Sequence, residues 1–339
     1  MQLGIIGLGK MGSSIALNAA DHGIEVIGTS QKIHDPQALE KASVQIVDDI
    51  PAVISKLRSP RVIFLHVPAG PVVDTVIESI VPLLEKGDVL VDAGNSHFKD
   101  SAVRQARLAE IKIGFIDCGS SGGAGGARTG GCFMIGGTFS DVAKVEPLLR
   151  ALSVSEGYLH AGPPGAGHYV KLIHNAIEFG MLQAIGEGVA LLKSSDYPID
   201  FPALFHNWAH GSVIRGWLVE LMERGFRENP DLEKIPSHVE DTGEVSWAVQ
   251  EALNREVSTP VISAAVQELF ASRDSKQFSH RAIAVMRHGF GGHPYGHDAG
   301  IAQERRTGQV GLTQARPHSD GSAAKVNAPA VDFNQIKRR

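Results

Sequence analysis

The sequence predicts an α/β chain: a Rossmann-like, doubly wound parallel sheet followed by an all-α helical domain. Three observations carry that expectation. Short runs that are apolar throughout alternate with helical stretches across the first half, as strands buried on both faces of a parallel sheet do. A G-x-G-x-x-G turn joins the first such run to the first helical stretch. After Gly162–Gly167 (GPPGAG) the strand signals stop and the helical ones continue.

Taken in order, Leu3–Gly7 reads as a strand, Met11–His22 as a helix and Glu25–Thr29 as a second strand. Val62–Val67 (VIFLHV) and Val89–Asp92 are the next apolar runs, with a helix over Pro71–Glu85 between them. Gly114–Cys118 is a strand leading into a glycine-rich loop, and Phe133–Gly136 is another strand. A helical pattern free of proline runs from Tyr169 to about Lys193, and Val213–Arg227, Val245–Asn254, Val261–Ser272 and Ala282–Arg287 are further helices. The chain therefore divides into a dinucleotide-binding domain (1–163), a helical substrate and oligomerisation domain (164–295) and a polar tail (296–339) that lacks periodicity.

Composition narrows the function classes. A formal charge of −5 argues against a broad nucleic-acid or anionic-membrane surface. No apolar run is long enough to span a bilayer, and MQLGIIGLGKMG enters a strand pattern without a signal-peptide layout. The expected location is the cytoplasm. Cys118 and Cys132 offer neither a disulfide framework nor metal-ligand spacing and read as buried thiols. The 15 histidines form no HExxH-type cluster, so no metal is expected.

The glycine turn is Gly7-Leu8-Gly9-Lys10-Met11-Gly12. Gly7 permits the tight turn, Gly9 lets the backbone approach a pyrophosphate, and Gly12 allows close helix–strand packing. The phosphates would sit at the helix N-terminus, where free N–H groups and the helix dipole favour anions. An acid after the second strand would select NAD, and an arginine NADP. This chain has Thr29-Ser30-Gln31-Lys32 there, with neither. Ser30 and Gln31 suit a hydroxyl and Lys32 a phosphate, so NAD or NADP is expected, with NAD favoured and dual use open. Val67, which ends the VIFLHV run, and Pro68 and Ala69 directly after it are further expected cofactor contacts.

Three segments point beyond cofactor binding. Asp92-Ala93-Gly94-Asn95-Ser96 ends a strand at the ligand-binding edge of the sheet, where Asn95 can offer its amide to cofactor or substrate. Gly119–Arg128 (GSSGGAGGAR) concentrates glycine at a strand end, an entropic cost that makes sense if backbone N–H groups must approach a ligand. In Gly167–Glu178 (GHYVKLIHNAIE), Lys171, His174, Asn175 and Glu178 fall at i, i+3, i+4 and i+7. At 3.6 residues per turn all four share one helix face. Such a quartet in an apolar helix is costly unless solvated or used.

These residues resemble the decarboxylating 6-phosphogluconate dehydrogenases, in the shorter bacterial form. The resemblance runs from residue 1 to about residue 293 and rests on the Gly7–Gly12 turn, DAGNSHFKD (92–100), SSGGAGGAR (120–128) and GAGHYVKLIHNAIEFGMLQAIGE (165–187). It implies the pentose phosphate pathway step in which 6-phosphogluconate is oxidised and decarboxylated to ribulose 5-phosphate. It also implies that neutral Lys171 takes the 3-hydroxyl proton as hydride leaves C3 and then supports the developing enolate, while Glu178 protonates C1 of the enediol left after CO2 departs. Asn95, Ser121, Gly122, Gly123, His174 and Asn175 would orient the sugar acid. Arg273, Arg287 and His293 would hold the phosphate. In the longer enzymes the last pair comes from the neighbouring subunit, so a homodimer or homotetramer with shared active sites is implied. Three positions depart from the family: Phe179 replaces a tyrosine, Ser246 a lysine and Ala248 a threonine. Two other readings stay open, a β-hydroxyacid dehydrogenase of the 3-hydroxyisobutyrate or tartronate-semialdehyde type and a non-catalytic nucleotide sensor.

Overall fold

The computed structural model describes residues 1–298. In chain order the sheet-bearing part comprises β1 (Gln2–Ile6), α1 (Lys10–Asp21), β2 (Glu25–Thr29), α2 (Pro36–Lys41), β3 (Gln45–Ile46), α3 (Ile50–Lys56), β4 (Val62–Leu65), α4 (Pro71–Ile80) and β5 (Val89–Asp92). It continues with α5 (Phe98–Glu110), β6 (Gly114–Ser121), α6 (Gly123–Thr129), β7 (Gly131–Gly136), α7 (Phe139–Leu152) and β8 (Ser153–Gly162). The eight strands form one sheet in the order β3-β2-β1-β4-β5-β6-β7-β8. The order reverses between β1 and β4, and a crevice for a ligand opens outside the carboxyl ends of the strands at such a switch point.

Alternation along each strand divides the core between two faces. Leu3 and Ile5, Phe64, Val89 and Val91, and Ile116 pack on one side with Ile15 and Ala16 of α1 and Leu149 of α7. Ile6, Ile63 and Leu65, Leu90, and Phe115 pack on the other with Val53 of α3, Val73 of α4 and Leu108 of α5. Burial on both faces is why these strands read as unbroken apolar runs.

The sheet is not wholly parallel, as the sequence reading expected. β7 runs antiparallel to β6, pairing Cys118 with Ile135 and Ser121 with Cys132, and β8 returns parallel to β7. The short α6 links β6 to β7 without crossing the sheet, so the chain must reverse. The same helix corrects the glycine-rich loop: residues 123–129 are helical, and Asn18 of α1 donates to the Ala127 carbonyl at 3.1 Å. The helix expected over Pro71–Glu85 stops at Ile80, with a 3-10 turn at Val81–Leu83 around Pro82. Cys118 is buried, and its surroundings push its thiol well above the ordinary value, but Cys132 is exposed rather than buried.

The helical part contains α8 (Ala166–Lys193), α9 (Phe201–Ala209), α10 (Trp217–Glu228), α11 (Glu244–Asn254), α12 (Pro260–Ala271) and α13 (Phe278–Gly291). Leu172 and Ala176 of α8 pack with Ala248 of α11, Phe98 of α5 and Ile262 of α12. The far half of α8 packs Ile185, Val189 and Leu192 on Phe201, Phe205 and Phe226. Met1–Ser272 forms one compact unit, and a second begins at Arg273. In the second unit α13 has no buried residue. Of the polar tail at 296–339, everything beyond residue 298 lies outside the described residues. Among the described residues no helix is long and apolar enough to cross a membrane, and no cluster of three metal-ligating side chains occurs.

Candidate active site

The start of α8 is set by the sheet beneath it. Gly165 caps α8 in a left-handed conformation, φ 93°, and has no side chain to bond the first turn. The buried Asp117 of β6 does that work: its carboxylate accepts from the Gly165 N–H at 2.6 Å and the His168 N–H at 2.8 Å. The helix lies so close to the sheet that a Cβ on Gly119 would stand 2.4 Å from the Cβ of Lys171. One on Gly167 would stand 2.5 Å from the Asp117 carbonyl oxygen. The face that carries Lys171 is thereby pressed toward the carboxyl ends of the strands.

There it closes a cleft of about 1260 Å³, larger than the roughly 300–1,000 Å³ of a single drug-sized pocket. Met11 and Val67 line it from the nucleotide side, Asn95 from the loop after β5, and Ser121, Gly122 and Gly123 from the end of β6. Lys171, His174, Asn175 and Glu178 line it from α8. The whole predicted quartet and the two predicted strand-end segments thus meet in one place. Asn95 holds a left-handed φ of 58°, a conformation asparagine tolerates better than most side chains.

The polar groups form a connected set. The Ser121 hydroxyl lies 3.0 Å from His174 Nε2, His174 Nδ1 lies 3.2 Å from Asn175 Oδ1, and Lys171 Nζ lies 3.4 Å from His174 Nδ1. Glu178 approaches His174 Nδ1 at 3.8 Å. Lys171 is buried, and burial holds its amine below the ordinary lysine value of 10.5, although Glu178, Glu244 and Cys132 pull the other way.

Two site residues were missed from the sequence. His66, at the end of β4, lines the cleft, and burial lowers its imidazole to about 4 against the opposing pull of Asp92, so the ring is neutral near pH 7. Its place just before Val67-Pro68-Ala69 was the available signal. Glu244, at the start of α11, accepts from Asn95 Nδ2 at 3.2 Å and Asn175 Nδ2 at 3.5 Å. Nothing local marks it, because its partners lie far away in the chain.

The nucleotide turn fits a dinucleotide. Gly7 adopts φ 105°, a Cβ on Gly12 would stand 1.9 Å from the Gly7 carbonyl oxygen, and a Cβ on Gly9 would meet nothing within 4 Å. Gly9 caps α1 with no side-chain bond, which leaves first-turn N–H groups for an anion. The Leu8 side chain is fully buried in the core, so only its backbone can face a ligand. Lys10 opens α1, Pro68 is exposed and Ala69 half-buried, and Gln31 and Lys32 are exposed. The Ser30 hydroxyl donates to the Lys32 carbonyl at 2.9 Å. Gly9→Val should therefore keep the melting temperature within about 2 °C of wild type while losing NAD(P) binding. Gly12→Val should lose both. Calorimetry with dinucleotide titration separates them, and equal melting losses would refute the assignment.

Arg273, Arg287 and His293 belong to the second unit. Arg287 is exposed on α13 and His293 follows that helix half-buried. Of the three departures, Ala248 is buried against Leu172 and Ala176, while Phe179 and Ser246 are half-buried.

Comparison with known proteins agrees with this geometry. Residues 2–160 match the family model for the NAD binding domain of 6-phosphogluconate dehydrogenase, and residues 167–298 match that for the C-terminal domain of the same enzyme. The chain is 40% identical over 293 residues to "Putative 6-phosphogluconate dehydrogenase YqeC" of Bacillus subtilis, covering 86% of this chain and 98% of that one. It is 39% identical over 295 residues to an NAD(+)-dependent, decarboxylating 6-phosphogluconate dehydrogenase of Haloferax volcanii, with coverage of 86% and 98%. Among solved structures, Plasmodium falciparum 6-phosphogluconate dehydrogenase, studied apo, with NADP+ and with 6-phosphogluconate, superposes with a TM-score of 0.72 at 26% identity. That match covers 88% of this chain and 67% of the other. A 3-hydroxyisobutyrate dehydrogenase of Salmonella typhimurium, at 19% identity and a TM-score of 0.68, shares the fold.

Proposed function

The chain belongs to the 6-phosphogluconate dehydrogenase family, and from that premise we propose how its residues carry out the oxidative decarboxylation of 6-phosphogluconate to ribulose 5-phosphate and CO2. One observation carries the reading: a buried lysine with a lowered pKa shares a cleft and a helix face with a carboxylate seven residues on. Neutral Lys171 accepts the proton of the C3 hydroxyl. Bound NAD(P) serves as the hydride acceptor. Once the β-keto acid has formed, the Lys171 ammonium donates a hydrogen bond to the oxygen that gains charge as CO2 leaves. Glu178 then delivers a proton to C1 of the resulting enediol, the former C2 of the substrate, which gives ribulose 5-phosphate. Asn95, Ser121, Gly122, Gly123, His174 and Asn175 orient the sugar acid. Arg273, Arg287 and His293 are assigned to its phosphate, because a dianion needs charged donors and Ser246 and Ala248 offer none. The family match favours this reading over the β-hydroxyacid dehydrogenase and sensor alternatives.

Residues 1–163 form the cofactor domain and 164–295 the substrate and oligomerisation domain in this reading. The backbone of Gly7, Leu8, Gly9, Lys10, Met11 and Gly12 holds the pyrophosphate, Ser30, Gln31 and Lys32 meet the adenine ribose, and Val67, Pro68, Ala69 and Asn95 flank the nicotinamide half. NAD is the preferred cofactor and NADP is accepted, since Ser30-Gln31-Lys32, directly after β2, include no acid to repel a 2′-phosphate and Lys32 is exposed there. The assembly is a homodimer or homotetramer with shared sites, located in the cytoplasm. Support for assembly comes from α13, which exposes Phe278, Ile283, Met286 and Phe290, and from α8, which exposes Ile177 and Met181.

Initial rates with 6-phosphogluconate and each cofactor test the reading. Reduced nicotinamide and CO2 should appear in equal amounts, faster with NAD. Oxidation without CO2 release would instead favour the β-hydroxyacid dehydrogenase.

A further inference from the structure

We propose that Glu244 is a positioning residue of this site: by gripping the carboxamides of Asn95 and Asn175 together, its carboxylate fixes the tautomer of His174 beside Lys171. The consequence for catalysis rests on the assignment of Lys171 as the base, whereas the tautomer itself does not.

A carboxylate only accepts hydrogen bonds. Oε1 of Glu244 faces Asn95 at 3.2 Å and Asn175 at 3.5 Å, and Oε2 accepts from the Thr242 hydroxyl. Both carboxamides must therefore turn their NH2 groups toward Glu244, since the flipped arrangement sets oxygen against oxygen. The Oδ1 of Asn175 is then left facing His174 Nδ1 at 3.2 Å. A carbonyl oxygen also only accepts, so Nδ1 carries the hydrogen. In the neutral ring Nε2 becomes the acceptor, and the Ser121 hydroxyl, 3.0 Å away, donates to it. Glu178, at 3.8 Å from Nδ1, lies beyond hydrogen-bond reach, so Asn175 is the nearer arbiter.

This chain of constraints ends at Lys171. Its Nζ stands 3.4 Å from the protonated Nδ1. The lone pair of a neutral amine can meet that N–H, and the protons of an ammonium cannot. The arrangement suits a lysine waiting to accept a proton. Glu244 thus reaches the reacting groups through Asn175 and His174, from a helix that contributes no other predicted site residue.

The test uses Glu244→Gln and Glu244→Asp in the full chain. Glutamine has nearly the shape of glutamate but can donate as well as accept, so it releases Asn175 to either orientation. Side-chain 15N correlation spectra of the enzyme without ligands, with His174 assigned by a His174→Gln variant, report the tautomer directly. Wild type and Glu244→Asp should show hydrogen on Nδ1, and Glu244→Gln a mixture. Turnover of 6-phosphogluconate by Glu244→Gln should fall about 10- to 100-fold with the melting temperature held. An unchanged tautomer in Glu244→Gln overturns the proposal, whatever happens to the rate. If wild type fails to turn over 6-phosphogluconate, the functional reading fails instead, and the spectra still decide the role of Glu244.

Discussion

Replacing Lys171 with methionine or alanine should lower kcat for 6-phosphogluconate by about 10³-fold or more, while the dissociation constant for NAD(P) stays within about two-fold of wild type. General base catalysis alone contributes roughly 10²–10⁴-fold, and the same amine is asked to support the enolate in the next step. Among the described residues no other amine or guanidinium lines the cleft to take its place. Stability should move little or improve in Lys171→Met. Burial already penalises the charged amine, and a thioether of similar length keeps the packing over Gly119 without that cost. The pH profile supplies a second check on wild type. The base must be neutral, so kcat/KM rises with pH through the lysine pKa, and the acid limb should lie below 10.5 because burial lowers that value. Equilibrium dinucleotide binding, kcat and melting curves of the variants together test the assignment. A variant that retains substantial turnover would end it.

Much of this site is legible in the sequence. Helical periodicity alone put Lys171, His174, Asn175 and Glu178 on one face, and α8 brings all four to the cleft. The Gly7–Gly12 turn was legible for the same reason: its spacing reflects local backbone geometry, visible now in the contact between Gly12 and the Gly7 carbonyl. What escaped was whatever depends on distant partners. Glu244 reaches residues 149 and 69 positions away, and only the docking of α11 on α8 makes it part of the site. β8 escaped because it is largely solvent-facing, so Ser153–Gly162 never forms an apolar run. The reversal of β7 escaped because a glycine-rich segment reads as a loop, although Ala127 and its carbonyl anchor α6 on α1. The phosphate end escaped for a related reason: Arg273, Arg287 and His293 lie in the unit that begins at Arg273, and the resemblance implies that the Arg287–His293 pair serves the site of a neighbouring subunit.

Asp117 carries the second large expectation. It is fully buried in β6, and its two carboxylate oxygens accept from Gly165 and His168 at the start of α8. It performs from the sheet the capping that Gly165 cannot perform for itself, and its charge complements the positive end of the helix dipole. Asp117→Ala leaves two buried N–H groups without an acceptor, at about 1–3 kcal/mol each. The melting temperature of Asp117→Ala should fall by about 6 °C or more. Asp117→Asn should rescue little, because its NH2 would face one of the two N–H groups. Activity should fall with stability, since Lys171 lies one turn beyond His168 and owes its place over Gly119 to the seating of that first turn. Calorimetry and kcat measured on both variants test this. A melting temperature within a degree of wild type in Asp117→Ala would show that α8 is seated by its apolar contacts with Phe98, Ala248 and Ile262 instead.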